Sequence, residues 1–70
     1  MELVLQEATG KYGARVYAHK DGVILVKQTV KRGGAQNDPY VVDGNHERFI
    51  EPGDDAALGA AVRAATEGKI

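Results

Sequence analysis

The segment that decides the fold is DDAALGAAVRAAT, residues 54–66, the one strongly helical run in this chain of 70 residues. Asp54 is a good N-cap because its carboxylate can accept hydrogen bonds from the free N–H groups of the first helical turn. Apolar side chains recur at the spacing of one helical face, at Leu58, Ala61, Val62 and Ala65. The pattern therefore predicts a capped amphipathic helix that covers one face of a small sheet.

Glycines mark the end of this helix and one position inside it. Gly68 follows the last apolar residue of the stripe and is predicted to end the helix. Gly59 lies inside the helix, where glycine costs roughly 1 kcal/mol relative to alanine. It indicates either a close approach of the helix to the sheet or a tolerated glycine on the surface.

The rest of the chain is typical of short strands joined by turns. Apolar alternation or short apolar runs predict strands at residues 2–7, 14–19, 23–30, 40–42 and 48–50. Lys20-Asp21-Gly22 and the segment 43–46 are predicted hairpin turns, and 31–39 is the longest predicted loop. Residues 1–70 are thus predicted to form a single α+β domain, an antiparallel β-meander of about five strands with one C-terminal helix packed on one face.

Composition argues against catalysis, metals and membranes. The chain has no cysteine and no serine, so it can form neither a thiolate zinc site nor a serine nucleophile. Its two histidines, His19 and His46, lie on different predicted elements, and a general acid–base pair such as His46 with Asp43 or Glu47 could form on one hairpin. We predict no enzyme activity, no cofactor and no metal.

The apolar runs are far shorter than the roughly 20 residues of a membrane span, and the N-terminal segment is acidic. These features predict a cytoplasmic protein with no membrane contact.

The formal net charge of −1 conceals a strong asymmetry along the chain. Residues 11–32 carry a net charge of +5, and residues 38–55 carry a net charge of −5. The two halves either pair across the sheet and neutralise each other, or they form separate patches that steer charged partners.

The basic half suggests one binding surface. Arg15, Tyr17 and His19 share one face of the second predicted strand, and Lys27 lies on the next strand. Basic and aromatic side chains on a sheet are typical of proteins that bind single-stranded nucleic acid. The sequence therefore offers a small single-stranded nucleic-acid-binding module as the alternative function, although a net acidic chain makes nucleic acid the less favoured partner.

The acidic half suggests the other surface, for a basic protein partner. Its candidate partner-binding residues are Asp38, Asp43, Glu47 and Glu51. If Ile50 points into the core, Glu47 and Glu51 flank an exposed Phe49, which is the arrangement of an aromatic anchor with a charged surround. If Phe49 points inward instead, the acidic residues form only a rim.

The C-terminal pattern Asp54-Asp55-x-x-Leu58-Gly59-x-Ala61-Val62-Arg63-x-Ala65 resembles the end of small immunity proteins from bacterial contact-dependent growth inhibition systems. The resemblance covers about the last fifteen residues of the chain, and the order of the strands loosely. It implies an inhibitor that binds a cognate toxin, the C-terminal toxin domain of a larger secreted protein. The acidic patch suits a basic nuclease as that toxin, and we expect the inhibitor to be a monomer. A third hypothesis is a regulatory or assembly subunit that dimerises through the edge of its sheet.

Overall fold

The computed structural model describes residues 1–33 and 39–70. Within these residues the chain forms four strands and one α-helix: β1 Glu2–Ala8, β2 Tyr12–Ala18, β3 Ile24–Lys31, β4 Tyr40–Ile50 and α1 Asp55–Thr66. The strands form one antiparallel sheet in the order β1-β2-β3-β4, and α1 packs against β2, β3 and β4. The predicted α+β architecture, an antiparallel meander with one C-terminal helix, is confirmed.

The described residues contain four strands where the sequence predicted five, because the segments 40–42 and 48–50 belong to the same strand. Both segments pair with β3 and run in the same direction: Val42 lies opposite Thr29, and Glu47 lies opposite Lys27. The segment 43–46 lies opposite Gln28 alone and forms a wide irregularity, with Gly44 at φ +56°. The predicted hairpin turn at residues 43–46 is therefore wrong, since the chain bulges there without reversing.

The predicted turn between β2 and β3 is confirmed. Lys20–Gly22 form a short 3₁₀ turn, and His19 N–H donates to the carbonyl of Val23 at 2.9 Å. Asp21 and Gly22 have φ values of 61° and 77°. Positive φ at this pair is what Asp-Gly supplies with little strain, so the local sequence explains the tight connection.

Both ends of α1 follow the local sequence. Asp54 Oδ1 accepts from the N–H of Ala57 at 3.1 Å. At the other end Gly68 adopts φ +73°, its N–H bonds to the carbonyl of Ala65 at 3.1 Å, and the N–H of Lys69 bonds to the carbonyl of Ala64 at 2.8 Å. This pair of bonds is a Schellman motif, which satisfies the last carbonyls of the helix.

The core lies between α1 and the central strands. Its buried side chains are Ala14, Val16, Val26, Ile50, Ala61 and Ala65, with Leu58 and Val62 packed against them. The helical stripe predicted from the sequence is therefore the buried face of α1. Alanine at two of its fully buried positions lets the helix backbone lie close to the sheet.

Gly59 is a tolerated glycine on the surface of α1, the second of the two explanations that the sequence allowed. A Cβ atom built on Gly59 would meet no atom within 4 Å, so this glycine lies on the exposed side of α1. Close approach to the sheet does not require it.

Loss of the N-cap should measurably destabilise the helix and with it the whole fold. We expect Asp54→Ala to lower the free energy of unfolding by about 1 kcal/mol, because the N–H of Ala57 loses its partner. For a chain of this size that corresponds to a fall in Tm of roughly 4–8 °C in a thermal melt followed by circular dichroism. Asp54→Asn is the control and should stay near the wild-type Tm, since its amide oxygen can still cap.

Candidate interaction surface

Side chains that point away from α1 form the surface that we call the open face. Ile24 and Val26 of β3 point into the core under α1, so Leu25 between them points to the open face. Strand pairing aligns Leu25 with Tyr17 on one side and Phe49 on the other, and Tyr17 with Leu3 of β1. A row of apolar and aromatic side chains, Leu3–Tyr17–Leu25–Phe49, therefore crosses all four strands of the described sheet.

The middle and the ends of this row differ in exposure. Leu25 is 3% exposed, whereas Leu3 is 47% and Phe49 is 56% exposed. The flanking side chains cover Leu25, and nothing in the described part of the chain covers Phe49 to the same extent. An exposed aromatic side chain of this size is a potential anchor for a protein partner.

The burial of Ile50 shows which side chain at the end of β4 points into the core, a question that the sequence left open. Ile50 is 4% exposed and belongs to the core, so Phe49 points to the open face. Its ring meets the ring of His19 edge-on, with centroids 5.6 Å apart. Glu47 shares the open face two residues before Phe49, and Glu51 is exposed just after the strand ends.

A polar row lies next to the apolar row on the open face. Gln6, Arg15, Lys27 and Glu47 are aligned across the four strands. Lys27 Nζ lies 3.2 Å from Glu47 Oε1, and Arg15 donates to the carbonyl oxygen of Tyr40 at 2.9 Å. At this place the basic and acidic halves of the sequence do pair across the sheet.

The pairing affects both of the surfaces that the sequence suggested. Glu47 lies beside Phe49 as expected, but Lys27 offsets part of its charge. Arg15 and Lys27, the predicted nucleic-acid contacts, are engaged with Tyr40 and Glu47. His19 lies against Phe49, so its ring belongs to the apolar row rather than to a basic patch.

Asp43 lies apart from the other predicted partner-binding residues. Its carboxylate Oδ2 accepts from Gln28 Nε2 at 2.8 Å, and Gln28 is 2% exposed on the side of the sheet that carries α1. Glu47 thus shares the open face with Phe49 and Glu51 follows the end of β4, while Asp43 helps to satisfy a buried amide. Asp38 lies outside the described residues.

Gln28 is the centre of a polar contact that sequence reasoning missed. Its Oε1 accepts from the N–H of Ile70 at 3.1 Å, and His46 Nδ1 lies 2.7 Å from the carbonyl oxygen of Ile70. The segment after α1 is thereby held against the bulge of β4. A signal was present, since Gln28 continues the inward alternation of Ile24 and Val26, where a polar side chain needs partners.

β1 is an edge strand that α1 leaves uncovered. All seven of its residues are exposed. The pairing with β2 is irregular between Leu3 and Leu5: Leu3 lies opposite Tyr17, and Leu5 lies opposite Val16. This β-bulge at Val4 places Leu3 on the open face and Leu5 on the helix side, whereas simple alternation predicted both on one face.

The potential metal ligands and acid–base groups are dispersed over the described residues. Among them no group of three His, Asp or Glu side chains is placed to hold a metal ion. Nδ1 of His46, the histidine of the predicted acid–base pair, lies 2.7 Å from the Ile70 carbonyl oxygen. The hollow lined by Met1, Glu2, Ala18, His19 and Lys20 is shallow and open to solvent.

Residues 1–33 and 39–70 also contain no helix with the length and apolar character that crossing a membrane requires. Comparison of the chain with protein-family models, with curated proteins and with solved structures finds no match, so the surface itself carries the functional argument.

Proposed function

We propose that this protein is an immunity protein that neutralises a cognate bacterial toxin by direct binding through its open face. The observation that carries the proposal is Phe49, which is 56% exposed on the side of the sheet away from α1, with Glu47 on the same face and the exposed Glu51 two residues further along the chain. Aromatic side chains are enriched in the cores of protein interfaces, and polar or charged residues typically form the rim around them.

The chemistry of the surface favours a basic protein partner. Glu51 is exposed, and Glu47 is half-buried with Lys27 Nζ 3.2 Å from its carboxylate. A positively charged surface, such as the substrate site of a nuclease, complements this arrangement in charge. The resemblance of residues 54–65 to growth-inhibition immunity proteins supports the same class of partner. In this proposal the protein is a cytoplasmic monomer that inhibits the toxin by binding to it, without chemistry of its own.

The proposal predicts that a secreted toxin is encoded beside this chain, and the C-terminal domain of that toxin provides the test. We expect that domain to arrest growth when it is expressed alone and to be harmless when this chain is co-expressed. The purified pair should form a one-to-one complex, and its association should slow as the ionic strength rises, because salt screens the opposite charges. Continued growth arrest in the presence of this chain contradicts the proposal.

Charge reversal locates the contact. We expect Glu51→Lys to slow association with the toxin domain by several-fold, and Glu47→Lys to slow it further because Lys27 is left beside a second cation. Glu67→Lys is the matched control, since Glu67 is exposed at the end of α1 on the other side of the sheet. Stopped-flow measurement of the association rate compares the three variants, and equal rates remove the open face as the site.

Binding of single-stranded nucleic acid is the alternative function of the same face, with Tyr17 as the contact residue. If the chain fails to protect against the toxin domain but binds a labelled oligonucleotide at low salt, and Tyr17→Ala weakens that binding, the nucleic-acid module is the better description.

A further inference from the structure

The sheet has two outer edges, and they differ in how they are protected. β4 carries the wide bulge at residues 43–46, and Ile70 lies against His46 and Gln28 beside it. Bulges and covering segments are devices that keep an edge from pairing with another strand. β1 has only a single-residue bulge at Val4, and the stretch from Leu5 to Ala8 pairs with β2 without interruption. β1 is therefore the edge that can accept another strand.

The sequence of β1 suits strand addition. Its residues Glu2–Ala8 contain no proline and no lysine, the two residues that most often protect an edge. Leu3, Val4 and Leu5 are 47%, 55% and 46% exposed, which is unusual for three successive apolar side chains. A strand added here would bury these side chains and satisfy the outward backbone groups of β1.

The charge of β1 selects the partner. Glu2, Leu5 and Glu7 lie opposite Ala18, Val16 and Ala14, which places all three on the helix side of the sheet. An apolar side chain is thus flanked by two carboxylates, and β1 has no basic residue. We propose that the outer edge of β1 accepts an extended segment of another protein, with alternating apolar and basic side chains, as a fifth strand.

A second copy of the chain is a poorer occupant of this edge. Pairing two copies of β1 would bring four carboxylates together along one seam, and the paired strands would supply no cation. Like charges facing each other across strands are destabilising, whereas opposite charges are stabilising. The proposed site is the β1 edge of the sheet, whereas Phe49 lies on β4 at the opposite edge.

The test uses a capped peptide of about eight alternating lysine and valine residues, the length of a typical strand. Added to the ¹⁵N-labelled chain at low salt, it should shift the amide signals of β1 and leave those around Phe49 unchanged. A peptide of alternating glutamate and valine is the control and should bind much more weakly. Shifts centred on Phe49, or none with the lysine peptide, overturn the proposal.

Two variants of equal charge change separate the sites. We expect Glu7→Lys to weaken binding of the lysine peptide by about threefold to tenfold, and Glu51→Lys to leave it unchanged apart from a small general effect of net charge. If Glu51→Lys weakens peptide binding more than Glu7→Lys does, the peptide binds on the open face and the proposal is overturned. Concentration-dependent shifts of β1 and a doubled solution mass without peptide would show a second copy at the edge, which also overturns it.

Discussion

Replacing Phe49 by alanine is expected to weaken binding of the toxin domain by about 30-fold or more, which corresponds to a loss of about 2 kcal/mol. The reason is that Phe49 is the largest exposed apolar side chain of the open face. Its contact with His19 holds the ring in place, so little conformational entropy is lost when a partner covers it. Isothermal titration calorimetry with the purified toxin domain measures the change.

Val41→Ala is the control for this substitution. Val41 belongs to the same strand and is 41% exposed, but its pairing with Val30 places it on the helix side. We expect the affinity of the Val41→Ala variant for the toxin domain to stay within about twofold of the wild type, since substitutions outside a binding site have small effects. A thermal melt of both variants separates binding from stability. Equal losses of affinity in the two variants would contradict the open face as the site.

The largest change in stability is expected from Gly13→Ala. A Cβ atom on Gly13 would lie 2.5 Å from the carbonyl oxygen of Glu7 and 2.6 Å from Thr29 Oγ1. Thr29 is 1% exposed and Glu7 contributes backbone, so neither can move away easily. We expect the free energy of unfolding to fall by about 3 kcal/mol, the upper part of the usual range for overpacking. For so small a chain this is a large part of the total stability.

Gly59→Ala is expected to have the opposite effect on stability. A Cβ atom at Gly59 meets nothing within 4 Å, and alanine favours the helix, so the variant should be more stable by about 0.5–1 kcal/mol. Urea denaturation followed by circular dichroism measures both variants.

Hydrogen exchange should also show faster exchange in β1 for Gly13→Ala, because the added methyl group pushes β1 away from β2. Unchanged stability of Gly13→Ala would contradict the close strand contact.

The helix shows how much could be predicted from neighbouring residues. Its cap at Asp54, its end at Gly68 and its buried stripe are all as expected, because each depends on residues within about one turn. The turn at Asp21 and Gly22 was predictable for the same reason. The continuous apolar run at residues 23–26 is also typical of an interior strand, and β3 has neighbours on both sides in the structure.

β4 shows where local reasoning failed. The segment 43–46 contains Asp, Gly and Asn, which are typical of a hairpin turn. The strand nevertheless continues beyond it, because both of its halves pair with β3, and Asp43 supplies a partner for the buried amide of Gln28. That requirement comes from contacts between residues far apart in the chain, including Ile70, and turn propensities do not contain it.

The candidate surface was predictable in part. Alternation put Phe49 and Ile50 on opposite faces, and only the packing of α1 decided that Phe49 is the exposed one. The pairing of Lys27 with Glu47 required the register of β3 and β4, which the bulge sets. The exposure of β1 follows from the position of α1 over β2, β3 and β4.

By itself the sequence determined the class of fold, the helix with both of its ends, and the absence of cysteine and serine chemistry, because these depend on composition and on short-range backbone preferences. Tertiary structure decided the number of strands, the side of the sheet on which Phe49 lies and the separation of Asp43 from Glu47. These features depend on strand register and on the need of a buried amide for partners, which are satisfied only when distant parts of the chain meet.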